Sequence, residues 1–198
     1  METLLLTKRQ IPKAAQVIKN GGVVAVRTET VWGLATLPEN AKKVYDAKNR
    51  PADKNLVLQF PSLEQVSQRF ELSLVQRRLF KKFRGGITIA LSDNTAVRIP
   101  CDPIMRKFLR VCAKICGGSP LVVTSANISG QAPATTWQGV NETLGGRIDA
   151  IIVSSPCKIG QPSTIVKIDK NLIKFIRIGA VSEKRILTSI DKYDTVIE

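Results

Sequence analysis

Histidine is absent from this 198-residue chain. That removes the side chain most used for proton transfer near neutral pH and a common zinc ligand. Cysteine is scarce. Cys112 and Cys116 would share a face on a helix, but no histidine completes a zinc set with them, so buried, inert thiols are expected there and at Cys101 and Cys157. Aromatic residues make up only 5%, which leaves the core to aliphatic packing. The apolar run Leu4-Leu5-Leu6 is too short for a secretory leader, and nothing approaches the roughly 18 apolar residues of a membrane span. Neither a Walker-type glycine loop nor a G-x-G-x-x-G fingerprint occurs, so the common nucleotide folds are unsupported. A cytoplasmic chain with reduced thiols and no membrane partner is the expectation.

The chain does have charge of one sign in excess. Thirty Lys and Arg stand against sixteen Asp and Glu, a net +14. Such a field attracts polyanions, whether nucleotides or RNA, although a solvated basic surface has the same composition. Hydrophobic content of 43% suits an ordinary globular core, and the length suits one domain over 1–198, with a core of about 11–180 and a helical tail from 181 to 198.

The apolar pattern alternates between helical and strand periods. Helices are expected over 11–20, 39–48, 73–83, 104–116, 136–144 and 182–190. Strands are expected over 23–26, 56–60, 87–91, 96–99, 121–123, 148–153, 165–168 and 173–176, the last two joined by a turn at 169–171. Leu74, Val75, Leu79, Phe80 and Phe83 should face inward on the 73–83 helix. Arg77, Arg78, Lys81 and Lys82 then form its outer face, a candidate nucleic-acid surface or a plain solvated one. Ile104, Phe108, Val111, Cys112 and Ile115 should face inward on the 104–116 helix. The order of elements implies an α/β domain with a mixed sheet flanked by helices.

Four polar stretches lie close to these strands: Thr28 to Leu34, Lys48-Asn49-Arg50, Ser125 to Gly130 and Pro162-Ser163-Thr164. Strand ends are where α/β sheets bind ligands. Without histidine, catalysis would rest on position and charge, which suits nucleotidyl or phosphoryl transfer. Lys48, Arg50 and Lys54 would supply positive charge to a triphosphate, and Ser125, Asn127, Ser163 and Thr164 hydroxyl and amide groups.

The ordered set T-E-T-V-W-G-L, K-x-R-P, G-G-I-T-I-A-L, A-V-R-I-P, S-A-N-I-S-G, P-S-T-I-V and R-I-G resembles the YrdC-like threonylcarbamoyl-AMP synthases, from about Gly21 to Gly179. The resemblance implies a twisted α/β fold around a deep basic cavity. It implies that L-threonine, bicarbonate and ATP with Mg²⁺ become threonylcarbamoyl-AMP and pyrophosphate, with no prosthetic group and no metal ligand from protein side chains. Transfer to tRNA follows, directly or through downstream proteins. Carried onto this chain, it assigns Lys48, Arg50, Ser125 and Asn127 to catalysis. Those four, with Lys54, Thr88 and Arg177, would bind ATP, and Thr30, Gln59, Arg98 and Ser163 would bind threonine. An RNA-binding module without adenylation activity and a paralogue acting on another carbamoyl substrate are the alternatives. The chain departs from the family's usual proline at Arg27 and Asn55, its tyrosine at Trp32, its P-G-P at Arg84-Gly85-Gly86, and its histidine at Gln59 and Asp102.

Overall fold

The computed structural model describes residues 2–52, 54–169 and 172–190 and the backbone of 196–197. In chain order the elements are β1 (Leu4–Thr7), α1 (Ile11–Lys19), β2 (Val24–Val26), β3 (Gly33–Thr36), α2 (Ala41–Lys48), β4 (Val57–Gln59), α3 (Leu63–Arg69), α4 (Leu74–Lys82) and β5 (Ile87–Ala90). There follow β6 (Ala96–Arg98), α5 (Pro103–Ile115), β7 (Leu121–Ser125), α6 (Trp137–Leu144), β8 (Ala150–Val153), β9 (Thr164–Asp169), β10 (Leu172–Arg177), α7 (Glu183–Leu187) and β11 (Val196–Ile197). The strands β1, β3 and β11 and the helix α3 are not singled out by the apolar pattern; in the tail expected to be helical over 181–198, α7 spans only Glu183–Leu187 and Val196–Ile197 form a strand. The expected 169–171 turn and the end of the expected tail lie partly outside the described residues.

The strands join in one mixed sheet, ordered β1-β8-β2-β3-β7-β4-β6-β5-β9-β10-β11. Side chains alternate across it with the period of two that a pleated strand imposes. Val24 and Val26 of β2, with Ala150 and Ile152 of β8, enter one cluster beneath α1 and α5. Ala25 and Ile151, between them in sequence, enter the cluster on the opposite face with α2 and α6. A third cluster packs Leu79 and Phe80 of α4 and Ile186 of α7 against Ile87, Ile89, Val97 and Val166. Among the described residues no helix is long and apolar enough to cross a membrane.

Local chemistry sets the helix ends that matter for the site. Asp102 caps α5 by accepting from the backbone N–H groups of Ile104 at 2.9 Å and Met105 at 3.1 Å, with Pro103 in the first turn. The helix thus starts at Pro103, one residue before the expected 104. The inward stripe of α5 is Met105, Phe108, Leu109 and Cys112, while Ile104, Val111 and Ile115 lie at its half-buried margins. At the end of α2, Asn49 adopts a left-handed φ of +50°, and the N–H of Arg50 closes onto the carbonyl of Tyr45 at 2.9 Å. That reversal separates Lys48, inside the protein, from Arg50.

Two further expectations are corrected. Leu74 is 76% exposed, because Ser73 caps α4 and the helix begins at Leu74 with that residue turned outward; Gln76 is buried instead. Of the four thiols, Cys112 is buried and Cys101 is exposed, with Cys116 and Cys157 half-buried. Burial raises all four pKa values, that of Cys157 to about 11, so low reactivity persists without full enclosure.

Urea unfolding followed by circular dichroism checks the corrected face of α4. Leu79→Ala should lower stability by about 2–5 kcal/mol, whereas Leu74→Ala should change it by less than about 0.5 kcal/mol. Equal losses would contradict the placement.

Candidate functional site

The polar strand ends converge on a cavity of about 170 Å³ lined by residues from β3, β4, β5, β6, β7, β9 and β10 and the loops beside them. Register does the positioning. Gln59 at the end of β4 stands opposite Arg98 at the end of β6, in a parallel pair. Gly33 opens β3 opposite Ser125, the last residue of β7. A Cβ at Gly33 would come within 2.8 Å of Val123 Cγ1, so this close approach requires glycine. Thr88 of β5 lies beside the start of β9, and its hydroxyl shares a 2.8 Å hydrogen bond with Ser163.

Seven of the expected site residues line the cavity: Arg50, Gln59, Thr88, Arg98, Ser125, Ser163 and Arg177. Arg50 donates from Nε to the carbonyl of Lys54 at 3.3 Å and from Nη2 to that of Asn55 at 3.1 Å, which holds it at the mouth of the 50–55 loop. Arg177 donates from Nε and Nη2 to the Ser163 carbonyl, at 3.1 and 2.8 Å. Burial, and then the charge of Arg98, lower its pKa below the ordinary arginine value. Three guanidinium groups, of Arg50, Arg98 and Arg177, thus share one concavity whose lining contains no carboxylate, a field that favours anions.

Lys48 and Asn127 stand together, one layer behind the lining. The Lys48 side chain is buried, 1% exposed, and its ammonium donates to the carbonyls of Ser125 and Asn127, the latter at 2.5 Å, and to Asn127 Oδ1 at 3.2 Å. The Asn127 amide donates to the carbonyls of Ile128 and Gln131, at 2.8 and 2.7 Å. These two residues therefore hold the Ser125–Asn127 loop in shape. Burial, then the neighbouring Arg50, lower the Lys48 pKa to about 8. Lys54 is exposed and outside the lining; its carbonyl, rather than its ammonium, meets Arg50. Thr30 is buried behind Arg98, accepting from Nη2 at 2.6 Å and sharing a 2.9 Å bond with Thr28.

The basic helix is not part of this cavity. Arg77 is turned back on the protein, donating to the Leu72 carbonyl at 3.2 Å and the Ser67 hydroxyl at 2.8 Å. Arg78 is half-buried, and Lys81 and Lys82 are exposed.

Two buried polar atoms have no protein partner at the cavity: Gln59 Oε1 and Arg98 Nε. Unsatisfied buried polar atoms are rare in folded proteins, and here they fall on two lining residues that face each other across β4 and β6. Composition did not reveal the residues behind them. Glu29, buried and ion-paired to Arg98, belongs to a quoted motif without a role there. Arg27 and Asp102, two departures from the family pattern, are partners of each other. Trp32, a third departure, lines the cavity and spends its indole N–H on the Thr135 carbonyl at 3.1 Å.

Comparison with known proteins places this geometry. The model of the Sua5/YciO/YrdC family, described as telomere recombination, matches residues 16–179. A threonylcarbamoyl-AMP synthase of Marinobacter nauticus is 33% identical over 180 residues, 80% of this chain and 91% of the relative. One of Bacillus subtilis is 29% identical over 196 residues, 89% of this chain and 55% of that relative, so the chain spans about half of that protein's length. The crystal structure of Pyrococcus abyssi Sua5 complexed with L-threonine superposes with a TM-score of 0.87 at 27% identity, covering 100% of this chain and 63% of that one. On the family match over most of its length, with the mixed sheet shared, the chain belongs to the Sua5/YciO/YrdC family.

Proposed function

We propose that this protein makes threonylcarbamoyl-AMP and pyrophosphate from L-threonine, bicarbonate and ATP, for the threonylcarbamoyl modification of tRNA. The observation that carries the reading is the register that brings Gln59 and Arg98 together at one cavity with Arg50, Ser125, Ser163 and Arg177, with no carboxylate in the lining. An α-amino acid offers a carboxylate, and ATP its phosphates, to the guanidinium groups that line the cavity. The names of the relatives and the threonine bound in Sua5 support the same choice.

In this reading the threonine amine adds to bicarbonate with loss of water, giving a carbamate. A carbamate oxygen then attacks the α-phosphorus of ATP, and the bond to the β-phosphate breaks as pyrophosphate leaves. No side chain need accept a proton in the phosphoryl step, which accords with a cavity lined by cations and hydroxyls and lacking histidine. Arg50 and Arg177 would neutralise charge developing on phosphate oxygens, where fixed donors in a water-poor site are most effective. Ser125, Thr88 and Ser163 would orient the reactants, and holding the carbamate in line with the leaving group supplies much of the rate. Lys48 and Asn127 act by fixing the backbone that carries Ser125. Mg²⁺ would enter with the nucleotide: the lining has no carboxylate, and among the described residues no group of three His, Cys, Asp or Glu could hold an ion. Downstream proteins would pass the acyl group to tRNA.

Pyrophosphate release from ATP and bicarbonate, measured with each amino acid in turn, tests the reaction. Threonine should support it best; strict dependence on another amino acid would favour the paralogue reading, and no turnover would refute adenylation. Arg50→Ala should lower the rate by on the order of a hundredfold with unchanged circular dichroism, and a rate near that of the parent would remove Arg50 from the site.

The lowered Lys48 pKa sets a pH dependence. Below about 8 the ammonium is charged and clamps the loop; above it the charge is lost and the clamp weakens. Activity should therefore fall on an alkaline limb near pH 8. Lys48→Arg should shift that limb upward, because a guanidinium stays protonated. An unmoved limb in the variant would show that another group titrates.

A further inference from the structure

Glu29 is buried in the loop between β2 and β3, outside the cavity lining and unused in the reaction above. One carboxylate oxygen is ion-paired with Nη2 of Arg98. The other accepts the backbone N–H groups of Cys101 at 3.0 Å and Asp102 at 2.9 Å. Burial alone would raise its pKa, but the Arg98 charge and the backbone donors outweigh it, and the group is held below the ordinary glutamate value. It is therefore an anion at neutral pH.

The carboxylate is itself held from behind. Asp102 accepts from Arg27 Nε at 3.0 Å and Nη2 at 2.7 Å through one oxygen, while the other caps α5. The 101–102 backbone that grips Glu29 is thus pinned to β2 and to a thirteen-residue helix. On the far side stands Gly85, at φ +83°; a Cβ there would lie 2.6 Å from Glu29 Cδ. Three separate features converge on one carboxylate whose other contact is an arginine of the cavity.

Arg98 shows what this achieves. Its Nη2 is occupied twice, by Glu29 and by Thr30. Its Nε is buried and has no protein partner. A long arginine side chain ordinarily loses rotamer freedom when it binds a ligand, and a chain anchored at one nitrogen has already lost it. We infer that Glu29 is a positioning residue for the amino-acid subsite, holding Arg98 by Nη2 so that its guanidinium stands fixed in the cavity wall for the substrate carboxylate. This rests on the adenylation reading and adds to it how the subsite is preorganised. Arg27 and Asp102 support Glu29, which gives two departures from the family pattern a joint role in this chain.

The test is the kinetics of Glu29→Gln, which keeps the shape and removes the charge. The Michaelis constant for threonine should rise on the order of tenfold, the scale of one charge-assisted hydrogen bond, while that for ATP stays within about twofold. A merely structural role would reduce the active fraction and leave both constants alone. An unchanged threonine constant, or equal rises for both substrates, would overturn the proposal. If the Gln variant does not fold, Glu29→Asp, which keeps the charge but shortens the reach, is read in the same way. If the unaltered protein shows no threonine-dependent turnover, the adenylation reading fails by itself. Calorimetric binding of free amino acids to both proteins then decides on Glu29: weaker binding to the variant sustains its role, and equal binding or none to either overturns it.

Discussion

The site depends on strand register. Gln59 faces Arg98 across β4 and β6, and Ser125 faces Gly33 across β7 and β3, because each pair occupies matching positions on adjacent strands. A slip of one residue would turn every side chain of a strand to the other face of the sheet. That slip would carry Leu58 and Val97 toward the cavity and Gln59 and Arg98 into the layer under α3 and α4. Aliphatic burial on both faces therefore locks the polar constellation as well as the fold.

Two buried cations, Lys48 behind the lining and Arg98 within it, are used in different ways. Lys48 satisfies carbonyl and amide oxygens and has its pKa lowered, while Arg98 lines the cavity and is paired with a carboxylate through Nη2. A lysine suits the first task because its ammonium is a compact charge that can meet several oxygens. An arginine suits the second because its donors are spread along a rigid fork, so one edge can be fixed while another stays available. Each cation is bound to the backbone or to a carboxylate before any substrate arrives, which lowers the cost of binding one.

The buried ion pairs are better understood as determinants of arrangement than as sources of stability. Bringing Arg27, Asp102, Glu29 and Arg98 out of water is costly, and their mutual attraction and hydrogen bonds return a similar amount. What they specify is where the 99–102 segment sits relative to β2 and to the first turn of α5. The same segment carries Cys101 to the surface, which explains why that thiol is exposed although it lies beside a buried network.

Much of this was legible in the residues alone. Strand and helix periods located most elements, since burial on one face or two leaves a repeating apolar pattern. The polar stretches after Val26 and at the ends of β7 and before β9 stood out because hydroxyls and amides interrupt otherwise aliphatic runs. Short elements were not legible: β1 and β3 span four residues each and carry too little pattern. The inward face of α4 was misjudged at Leu74 because period alone does not reveal where the Ser73 cap starts the helix. Local sequence thus determined which residue types were available and in what order. Only the tertiary structure decided which of them meet. The partnership of Arg27 with Asp102, of Glu29 with Arg98, and the withdrawal of Lys48 behind Ser125 all join residues some seventy positions apart, and nothing in a local window of chain encodes the sheet order that brings them together.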